Sequence, residues 1–476
     1  MSKQYDLIVI GTGSAMNIVD PMIQQNPKIK IAVIDKDKPG GICLTRGCIP
    51  SKILLYPAEL VRLAEEANQL GVVTEIKKID FSYIMRRMRT LIGNDIEGIR
   101  QGLSNSENIE YFHDRAEFIA PYTLRIKDRE ITSKMIFLCT GSETIIPPIK
   151  GLDNVKYLTS DTVLDLTELP ESVAIVGGGY IAAEYGHFLS SMGSKVTIIG
   201  RNPRFLPEEE PEISELAKQE LSKHLTIFTN HEVKQVEERA DGMKKITAFD
   251  RGSKKDTVFE AKEIMIAAGR GPTTKILQPE KAGIKTTKDG WIEVNEYLET
   301  SQPNIWALGD ADGSYLFKHV ANYESEIVYY NAVLKRKVKV EYHAIPHAVF
   351  TYPEIAAVGM GEKVALDKLG EDNVLIGFYK YENTAKGEAM NLKDYFVKVI
   401  IDKSGKILGA HIIGPNASVL IQEIINVMYT QEQSAEVINK AIHIHPALSE
   451  VVQRAFSSLM PVEHYRRMSE NHHHLV

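Results

Sequence analysis

Two cysteines, Cys43 and Cys48, lie five residues apart in the stretch GGICLTRGCIPSK of a 476-residue chain that contains only three cysteines. In a straight α-helix their Cα atoms would be roughly 8–9 Å apart, whereas a disulfide requires less than about 7 Å. The pair can therefore bridge only where the helix is distorted, and Gly47 tolerates such a distortion. A strained disulfide in a short loop is easily reduced, and structural disulfides are rare in the cytosol. The spacing therefore predicts a redox-active pair.

Three further residues have types that suit sulfur chemistry. Lys52 follows Cys48 by one helical turn, where its charge can lower the pKa of a thiol or face a flavin that becomes anionic on reduction. His445, in IHIHPALSE, precedes a proline that restricts its backbone, and Glu450 can hold its imidazole in one tautomer. These two residues predict an acid/base pair. Cys139, in the apolar run MIFLCTGS, is instead expected to be a buried apolar residue.

Two glycine turns must position the cofactors for such chemistry. The run YDLIVIGTGSAM is an apolar strand that enters a glycine turn, as in a βαβ nucleotide-binding unit. Asp35 ends the next strand, where a carboxylate accepts a hydrogen bond from a ribose hydroxyl. A second copy, SVAIVGGGYIAAEYG, has Gly177, Gly179 and Ala182 at the fingerprint positions. Two units predict two dinucleotides, or one dinucleotide and one flavin dinucleotide.

Composition limits the partners of the chain. A net charge of −7 argues against nucleic acid or an anionic membrane, and no apolar run approaches the roughly 20 residues of a membrane span. Three cysteines cannot form a secreted disulfide framework. After MSKQ the chain enters an apolar strand directly, which suggests a cytoplasmic protein. No metal site is predicted, and the C-terminal NHHHLV is expected to be an inert end.

The motifs together resemble the class I pyridine nucleotide–disulfide oxidoreductases, which include dihydrolipoamide dehydrogenase, glutathione reductase, mycothione reductase and mercuric reductase. The resemblance covers residues 1–460 approximately and is carried mainly by GGICLTRGCIPSK and HPALSE. It implies an FAD-dependent enzyme that passes two electrons between a nicotinamide dinucleotide and a dithiol or disulfide through a Cys43–Cys48 disulfide. It also implies a homodimer whose active site is shared between the subunits.

The resemblance implies a role for each residue of the site. Cys43 resembles the interchange thiol that attacks substrate sulfur, and Cys48 resembles the charge-transfer thiol beside the flavin. His445 resembles the acid/base that reaches Cys43 from the other subunit, with Glu450 orienting it. Lys52 resembles the lysine near flavin N5, paired with a glutamate of the second unit. The implied flavin-contacting positions are Gly11, Gly13, Ser14, Asp35, Lys36, Gly41, Lys52, Ala116, Thr140, Gly141, Ser142, Gly309, Asp310 and His319.

The second unit is expected to bind the nicotinamide dinucleotide. Its implied residues are Gly177, Gly179, Tyr180, Ile181, Glu184 (the partner of Lys52), Arg201, Arg204, Gly269 and Arg270. Two positions depart from the family pattern. Met16 replaces the usual third glycine of the first unit, so the flavin helix is expected to pack slightly further from its strand. Gly200 stands where NAD-dependent members have an acidic residue, and Arg201 aligns with an arginine that binds the 2′-phosphate of NADP. NADP(H) is therefore expected to be favoured over NAD(H).

The subfamily stays open between two alternatives. GCIPSK and HIHPALSE favour dihydrolipoamide dehydrogenase, which would act on a lipoyl group of a carrier protein or on a small dithiol. Gly200, Arg201 and Tyr180 favour an NADPH-dependent reductase of a small disulfide, of the mycothione or glutathione reductase type. The cysteine motif of glutathione reductase ends in Lys-Lys rather than Ser-Lys, and mercuric reductase would carry a further C-terminal cysteine pair. A non-enzymatic flavoprotein subunit is disfavoured, because both cysteines, His445 and Glu450 are present.

The order of the motifs predicts an α/β chain of two Rossmann-like domains and a C-terminal α+β dimerisation domain. Residues 1–150 are expected to form the first part of the FAD-binding domain, and 151–275 the NAD(P)-binding domain. Residues 276–345 would form a central domain that completes the FAD-binding fold. Apolar and polar residues alternate beyond about 345, so 346–476 would form an antiparallel sheet with helices.

Overall fold

The structure of the chain, a computed structural model, describes residues 2–473. It has the mixed α/β fold that the sequence predicts, with two parallel sheets followed along the chain by an antiparallel sheet. Within those residues, no helix is long and apolar enough to cross a membrane. The last three positions of the expected inert end lie outside the described residues.

The first segment of the chain carries most of the first parallel sheet. Its strands and helices are β1 (Lys3–Tyr5), β2 (Leu7–Ile10), α1 (Met16–Gln25), β3 (Ile31–Asp35), α2 (Gly41–Arg46), α3 (Cys48–Glu66), α4 (Phe81–Asn105), β4 (Ile109–His113), β5 (Glu117–Ala120), β6 (Thr123–Ile126), β7 (Arg129–Ser133), β8 (Ile136–Leu138) and β9 (Ser142–Thr144). β2 reads LIVI and β8 reads IFL, and every residue of both strands is buried. Continuous apolar runs of this kind are typical of parallel strands covered on both faces.

The middle of the chain forms the second parallel sheet and completes the first. Its elements are β10 (Ser172–Val176), α5 (Tyr180–Met192), β11 (Lys195–Ile199), α6 (Pro211–Ser222), β12 (Thr226–Phe228), β13 (His231–Glu238), β14 (Lys244–Asp250), β15 (Asp256–Ala261), β16 (Glu263–Ile266), β17 (Arg270–Pro272), β18 (Ile305–Ala307) and α7 (Lys318–Val328). The second sheet has the strand order β12-β11-β10-β16, whereas β18 joins the first sheet in the order β18-β8-β2-β3-β4. The domain boundaries at 150, 275 and 345 stay predictions.

The C-terminal part forms an antiparallel sheet with helices, as the alternating sequence predicts. Its elements are β19 (Pro346–Val349), β20 (Ile355–Gly359), α8 (Glu362–Leu369), β21 (Val374–Lys380), α9 (Ala385–Ala389), β22 (Phe396–Asp402), β23 (Ile407–Ile413), α10 (Ala417–Met428), α11 (Ala435–Lys440), α12 (Glu450–Ser457), β24 (Leu459–Pro461) and α13 (Val462–His473). The strand order is β19-β20-β23-β22-β21-β24, and every pairing in it is antiparallel.

The carboxyl ends of the first parallel sheet meet at one edge. β2 leads to Gly11, β8 to Cys139 and β18 to Gly309, while β3 ends at Asp35. Backbone hydrogen bonds hold three of these ends together, because Gly11 N donates to Ile34 O and Cys139 N donates to Ile10 O, both at 2.8 Å. Ligands of open α/β sheets bind beyond the carboxyl ends of the strands, so this edge is the expected binding edge.

A buried charge cluster joins the second parallel sheet to the antiparallel one. Lys398 of β22 has a fully buried side chain, and its Nζ lies 2.7 Å from Glu210 and 3.0 Å from Glu212 at the start of α6. The same ammonium lies 2.8 Å from Glu362 of α8. Removing one partner of a buried ion pair costs about 3–5 kcal/mol, so this cluster fixes the two parts against each other.

Candidate active site

The two cysteines of the candidate site lie on either side of a break between helices. α2 ends at Arg46 and α3 begins at Cys48, so the predicted distortion lies at Gly47. A Cβ atom at Gly47 would come within 2.9 Å of the backbone oxygen of Ile42, which leaves room only for glycine. In their reduced form, Cys43 and Cys48 make up the dithiol of the site. The break therefore gives each thiol its own helix while keeping the two in hydrogen-bond contact.

Because the two thiols share a hydrogen bond, they lose their protons as a pair. The hydrogen bond from Cys48 lowers the pKa of the Cys43 thiol to about 7; burial opposes this shift and the charge of Lys318 supports it. The same hydrogen bond raises the pKa of the Cys48 thiol, and the charge of Lys52 opposes that rise. The hydrogen bond between the two sulfurs therefore stabilises the first thiolate that the pair forms.

A cavity of about 850 Å³ runs from the binding edge of the sheet to the dithiol. Its volume lies in the upper part of the roughly 300–1,000 Å³ range of small-molecule sites. The predicted site residues that line it are Gly11, Gly13, Ser14, Asp35, Lys36, Gly41, Cys43, Cys48, Lys52, Ala116, Thr140, Gly141, Tyr180, Ile181, Glu184, Arg270, Gly309, Asp310 and His319. The fold thus brings together most of the flavin-contacting positions named from the sequence.

The walls of this cavity fit a flavin dinucleotide. Gly11 has φ of +104°, and a Cβ atom there would lie 2.1 Å from the Cys139 backbone oxygen. Gly41 has φ of +73°, and its Cβ would lie 2.7 Å from the Cα of Gly13. Both glycines therefore let backbone approach backbone, as a pyrophosphate cradle requires. The Thr140 hydroxyl is buried without a hydrogen-bond partner, which leaves a polar atom for a ligand.

Hydrogen bonds preorganise two carboxylates at the binding edge. Asp35 accepts from the backbone N–H groups of Thr12 and Asp37, each at 2.9 Å, so its orientation is set by the glycine turn. The Ser142 hydroxyl donates to Asp310, and Arg270 donates to Ser142 from its Nε at 2.7 Å. Burial raises the pKa of Asp310. Arg270, predicted for the nicotinamide site, is therefore also tied to the flavin cavity.

Lys52 and Glu184 form the predicted pair. The Lys52 ammonium donates to both carboxylate oxygens of Glu184, at 2.9 and 2.8 Å, and lies 4.6 Å from the ring centroid of Phe350. The backbone N–H of Phe350 also donates to Glu184, at 3.0 Å. A buried carboxylate on α5 thus holds a lysine of α3 and the end of β19 together.

His445 and Glu450 contact each other away from the cavity. The His445 Nδ1 lies 3.0 and 3.2 Å from the two carboxylate oxygens of Glu450, and the imidazole is 71% exposed. Its hydrogen bond to His445 lowers the pKa of Glu450. His445 is not among the residues that line the cavity of its own chain. The apolar side chains of Ile442 and Ile444, on the same segment, are both exposed.

The predicted 2′-phosphate residues lie outside the cavity as well. Arg201 and Arg204 are exposed beyond the end of β11. Gly177 has φ of +143°, and a Cβ there would lie 2.1 Å from the Ala267 backbone oxygen, so the second glycine turn repeats the close approach of the first. Gly179 caps the start of α5, and Gly269 has φ of +123°. These residues form a separate glycine-lined turn at the edge of the second sheet.

Three residues near the dithiol were not predicted from the sequence. Lys318 begins α7, and its Nζ donates to the Ser14 hydroxyl at 2.8 Å. Arg46, between the cysteines, pairs with Asp37 at 2.7 Å, and Phe350 contacts Lys52. The position of Lys318 could have been predicted from the sequence, because a helix that follows the turn ALGDADG must begin near the cavity. Among the described residues, no group of three or more His, Cys, Asp or Glu side chains could hold a metal ion.

Comparisons with known proteins agree with this geometry. Residues 5–328 match the family model described as pyridine nucleotide-disulphide oxidoreductase, and residues 345–456 match the dimerisation domain of that family. Mycothione reductase of Mycobacterium tuberculosis is 33% identical over 469 residues, which cover 96% of this chain and 100% of the relative. Dihydrolipoyl dehydrogenase of Geobacillus stearothermophilus is 33% identical over 432 residues, 90% of each chain.

A solved structure matches the whole fold. The Cu(II) complex of the HOCl-induced flavoprotein disulfide reductase RclA from Escherichia coli superposes with a TM-score of 0.84 at 26% identity, covering 96% of this chain and 99% of that chain. The dimerisation-domain match means that the protein forms a homodimer. With these matches, the chain belongs to the pyridine nucleotide-disulphide oxidoreductase family, FAD-dependent enzymes that use NAD(P)(H) and act on sulfur groups.

Proposed function

We propose that Cys43 exchanges with substrate sulfur and that Cys48 resolves the mixed disulfide. The observation that carries this proposal is the asymmetry of the pair. The pKa of the Cys43 thiol is the lowered one, by the hydrogen bond from Cys48, which supports Cys43 as the nucleophile of the pair. Cys48 is the thiol on which the charge of Lys52 acts. Each sulfur thus has surroundings suited to a different task.

The exchange balances in two steps. The Cys43 thiolate attacks one sulfur of a substrate disulfide, the S–S bond breaks, and the first thiolate leaves and takes a proton. The Cys48 thiolate then attacks Cys43 in the mixed disulfide and expels the second thiolate. The enzyme dithiol has then become a disulfide and the substrate disulfide two thiols. The reverse sequence oxidises a dithiol substrate.

Residues of the cavity would hold FAD in contact with this pair. The turn at Gly11 and Gly13 would hold the pyrophosphate, and Asp35 would accept from a ribose hydroxyl. Lys52, held by Glu184, would supply positive charge beside the flavin. FAD, when bound, relays two electrons between the nicotinamide and the cysteine pair.

We propose that the acid/base comes from the partner subunit of the homodimer. His445 of one chain does not line that chain's cavity, yet Glu450 holds its Nδ1, which leaves Nε2 for proton transfer. The exposed apolar residues Ile442 and Ile444 suit a segment that is covered by a second subunit. In this arrangement His445 would give the proton to the leaving thiolate.

The leading substrate class is a lipoyl dithiol, either free or on a carrier protein. The cysteine motif and the identity with dihydrolipoyl dehydrogenase support it. The second candidate is a small disulfide, supported by the full-length similarity to mycothione reductase and by Gly200 and Arg201. The cytoplasm is the proposed compartment, because a reducing environment keeps the pair available for turnover.

Steady-state rates should separate the two substrate classes. We expect the highest kcat/KM either on lipoamide or on one member of a panel of small-thiol disulfides, measured with NAD(H) and with NADP(H). Rapid lipoamide turnover with slow disulfide reduction would support the dehydrogenase, and the opposite ranking would support the reductase. Equal failure of both classes, with FAD bound and reducible, would contradict the proposed use of Cys43 and Cys48.

Coenzyme preference should depend on two neighbouring residues. We expect NADP(H) to be preferred, because the Arg201 guanidinium matches phosphate geometry and no carboxylate at position 200 repels it. A charge-assisted pair contributes about 1.5–3 kcal/mol, roughly one to two decades of preference. Replacing Gly200→Glu together with Arg201→Ala should therefore shift the ratio of the two kcat/KM values, for NADP(H) and for NAD(H), towards NAD(H) by roughly one to two decades.

The substitution at position 200 is sterically acceptable. A Cβ atom on Gly200 would lie 3.4 Å from the Gly178 Cα, an ordinary contact. Arg239→Ala, which removes an exposed arginine that pairs with Glu260 in the same part of the chain, is the matched control and should leave the ratio unchanged. A wild-type enzyme that uses NAD(H) rapidly and NADP(H) not at all would disprove this assignment.

A further inference from the structure

A histidine of the flavin cavity is paired with a carboxylate that lies outside the cavity. His347 of β19 lines the cavity, and its Nε2 lies 2.7 Å from Oε1 of Glu209. Glu209 belongs to the segment between β11 and α6. The pair therefore links the wall of the flavin cavity to the part of the chain that is expected to bind the nicotinamide dinucleotide.

The carboxylate of Glu209 depends on this contact to balance its charge. Its side chain is only 3% exposed, and its second oxygen, Oε2, is buried without a hydrogen-bond partner. Among the described residues, His347 is the side chain that pairs with it. A buried carboxylate without a counter-charge is strongly unfavourable. The pair is therefore stable as an imidazolium beside a carboxylate, a combination without net charge.

Aromatic packing holds the imidazole at the wall of the cavity. The ring of Phe317 lies parallel to that of His347, with the centroids 6.1 Å apart, and parallel to that of His319 at 5.3 Å. The Nε2 of His319 contacts the backbone oxygen of the residue before His347 at 2.8 Å. Three residues after His347, Phe350 contacts Lys52, the lysine expected beside the flavin ring. His347 therefore lies towards the flavin-ring end of the cavity.

Two other histidines feel the charges of the pair, and both stay neutral. Burial lowers the pKa of His319, the charge of His347 lowers it further, and a backbone contact opposes the shift. Burial also lowers the pKa of His411 on β23, although the charge of Glu209 opposes this. For His347, burial is outweighed by the hydrogen bond and charge of Glu209, with a contribution from the exposed Glu208, so its pKa is raised. His347 is therefore the group here that gains or loses a proton above neutral pH.

We propose that the His347–Glu209 pair takes up a proton when the flavin is reduced and releases it when the flavin is reoxidised. Hydride transfer to a flavin adds one hydrogen and two electrons, which leaves the ring with a negative charge. A protonated pair adds no net charge beside that ring, whereas loss of the His347 proton would place a second negative charge there. The proton comes from solvent and returns to it. The inference rests on the proposed placement of FAD in the cavity, and not on the roles of the two sulfurs.

The proposal fixes how many protons accompany the reduction of the flavin by electrons from a dye. At low pH, His347 is protonated in both states of the flavin, so reduction takes up only the proton that binds to the ring. Above about pH 6.5, the ordinary pKa of a histidine, the oxidised enzyme begins to lose the His347 proton while the reduced enzyme keeps it. Reduction then takes up two protons. At still higher pH, both states have lost the His347 proton and the count returns to one.

Redox titration of the FAD-loaded homodimer tests the proposal. Cys43→Ser and Cys48→Ser would be combined so that only the flavin takes up electrons, and this enzyme would be equilibrated with a reference dye between about pH 5 and pH 10. Each proton taken up changes the equilibrium constant about tenfold per pH unit. We expect a fall of about tenfold per unit at low pH and a steeper range, up to about a hundredfold per unit, above neutrality. In Glu209→Gln the steeper range should move to lower pH, because the carboxylate that raises the pKa of His347 is gone.

A charge-neutral variant separates proton uptake from packing. His347→Gln combined with Glu209→Gln leaves no buried charge unpaired and should show the tenfold dependence at every pH. His231→Gln is the matched control: this histidine of β13 contacts the backbone oxygen of Thr229 at 2.6 Å, and its replacement should keep the steeper range. The proposal is overturned if the unmodified pair shows only the tenfold dependence, or if the charge-neutral variant keeps the steeper range. A wild-type chain without flavin absorbance would contradict the placement of FAD as well.

Discussion

Replacing Cys43→Ser is expected to abolish dithiol–disulfide turnover, by a factor on the order of 10⁴–10⁶, because a hydroxyl cannot replace the thiolate nucleophile. Cys48→Ser should have an equally large effect, since the mixed disulfide could no longer be resolved. The measurement is steady-state turnover on the preferred disulfide. Reduction of the bound FAD by the nicotinamide should continue in both variants, because that half-reaction does not use sulfur.

The absorption spectrum should tell the two variants apart. Cys43 raises the pKa of the Cys48 thiol, first by their hydrogen bond and also by its charge, so Cys43→Ser should favour a Cys48 thiolate. We expect this variant to show the long-wavelength absorption of a thiolate next to a flavin, and Cys48→Ser to lack it. The opposite pattern would mean that the roles of the two sulfurs are exchanged.

Replacing His445→Gln should cut turnover by roughly 10²–10⁴, the usual worth of a positioned acid/base. Flavin reduction by the nicotinamide should change much less, because His445 serves the sulfur side. His443→Gln is the matched control: His443 lies two residues earlier, with a side chain only 7% exposed, and its Nε2 contacts Glu423 at 3.1 Å. An equal loss in both half-reactions would mean that His445 is structural.

Mixed dimers should show which chain supplies the histidine. A dimer of one His445→Gln chain and one Cys43→Ser chain contains one complete site if the histidine crosses the interface. We expect such heterodimers to keep about half of the wild-type activity per dimer, whereas each homodimeric variant is inactive. Inactive heterodimers would show that the site is built within one chain.

The fold and the motif residues could be predicted from the sequence because each rests on local patterns. Buried runs such as LIVI and IAVID specify parallel strands, and the glycine spacing after them specifies turns. The distortion at Gly47 follows from the spacing of the two cysteines. These features depend on neighbours in the chain, so a single sequence contains them.

Contacts between segments that are distant in the chain could not be predicted from the sequence in the same way. The bond from the Phe350 N–H to Glu184 spans 166 residues, and the link from Lys318 to Ser14 spans 304. Such pairs depend on how helices pack after the sheets have formed, and neither residue carries a local pattern for its partner.

The cluster around Lys398 has a consequence for the replacement of whole segments in this chain. Glu210 and Glu212 lie in the part of the chain that matches the oxidoreductase family model, whereas Lys398 and Glu362 lie in the dimerisation domain. An unpaired buried charge in this position is strongly unfavourable. The acidic residues of the first part and the lysine of the second must therefore be kept together. A segment transplanted into this chain in place of α6 would therefore need acidic residues at its own start.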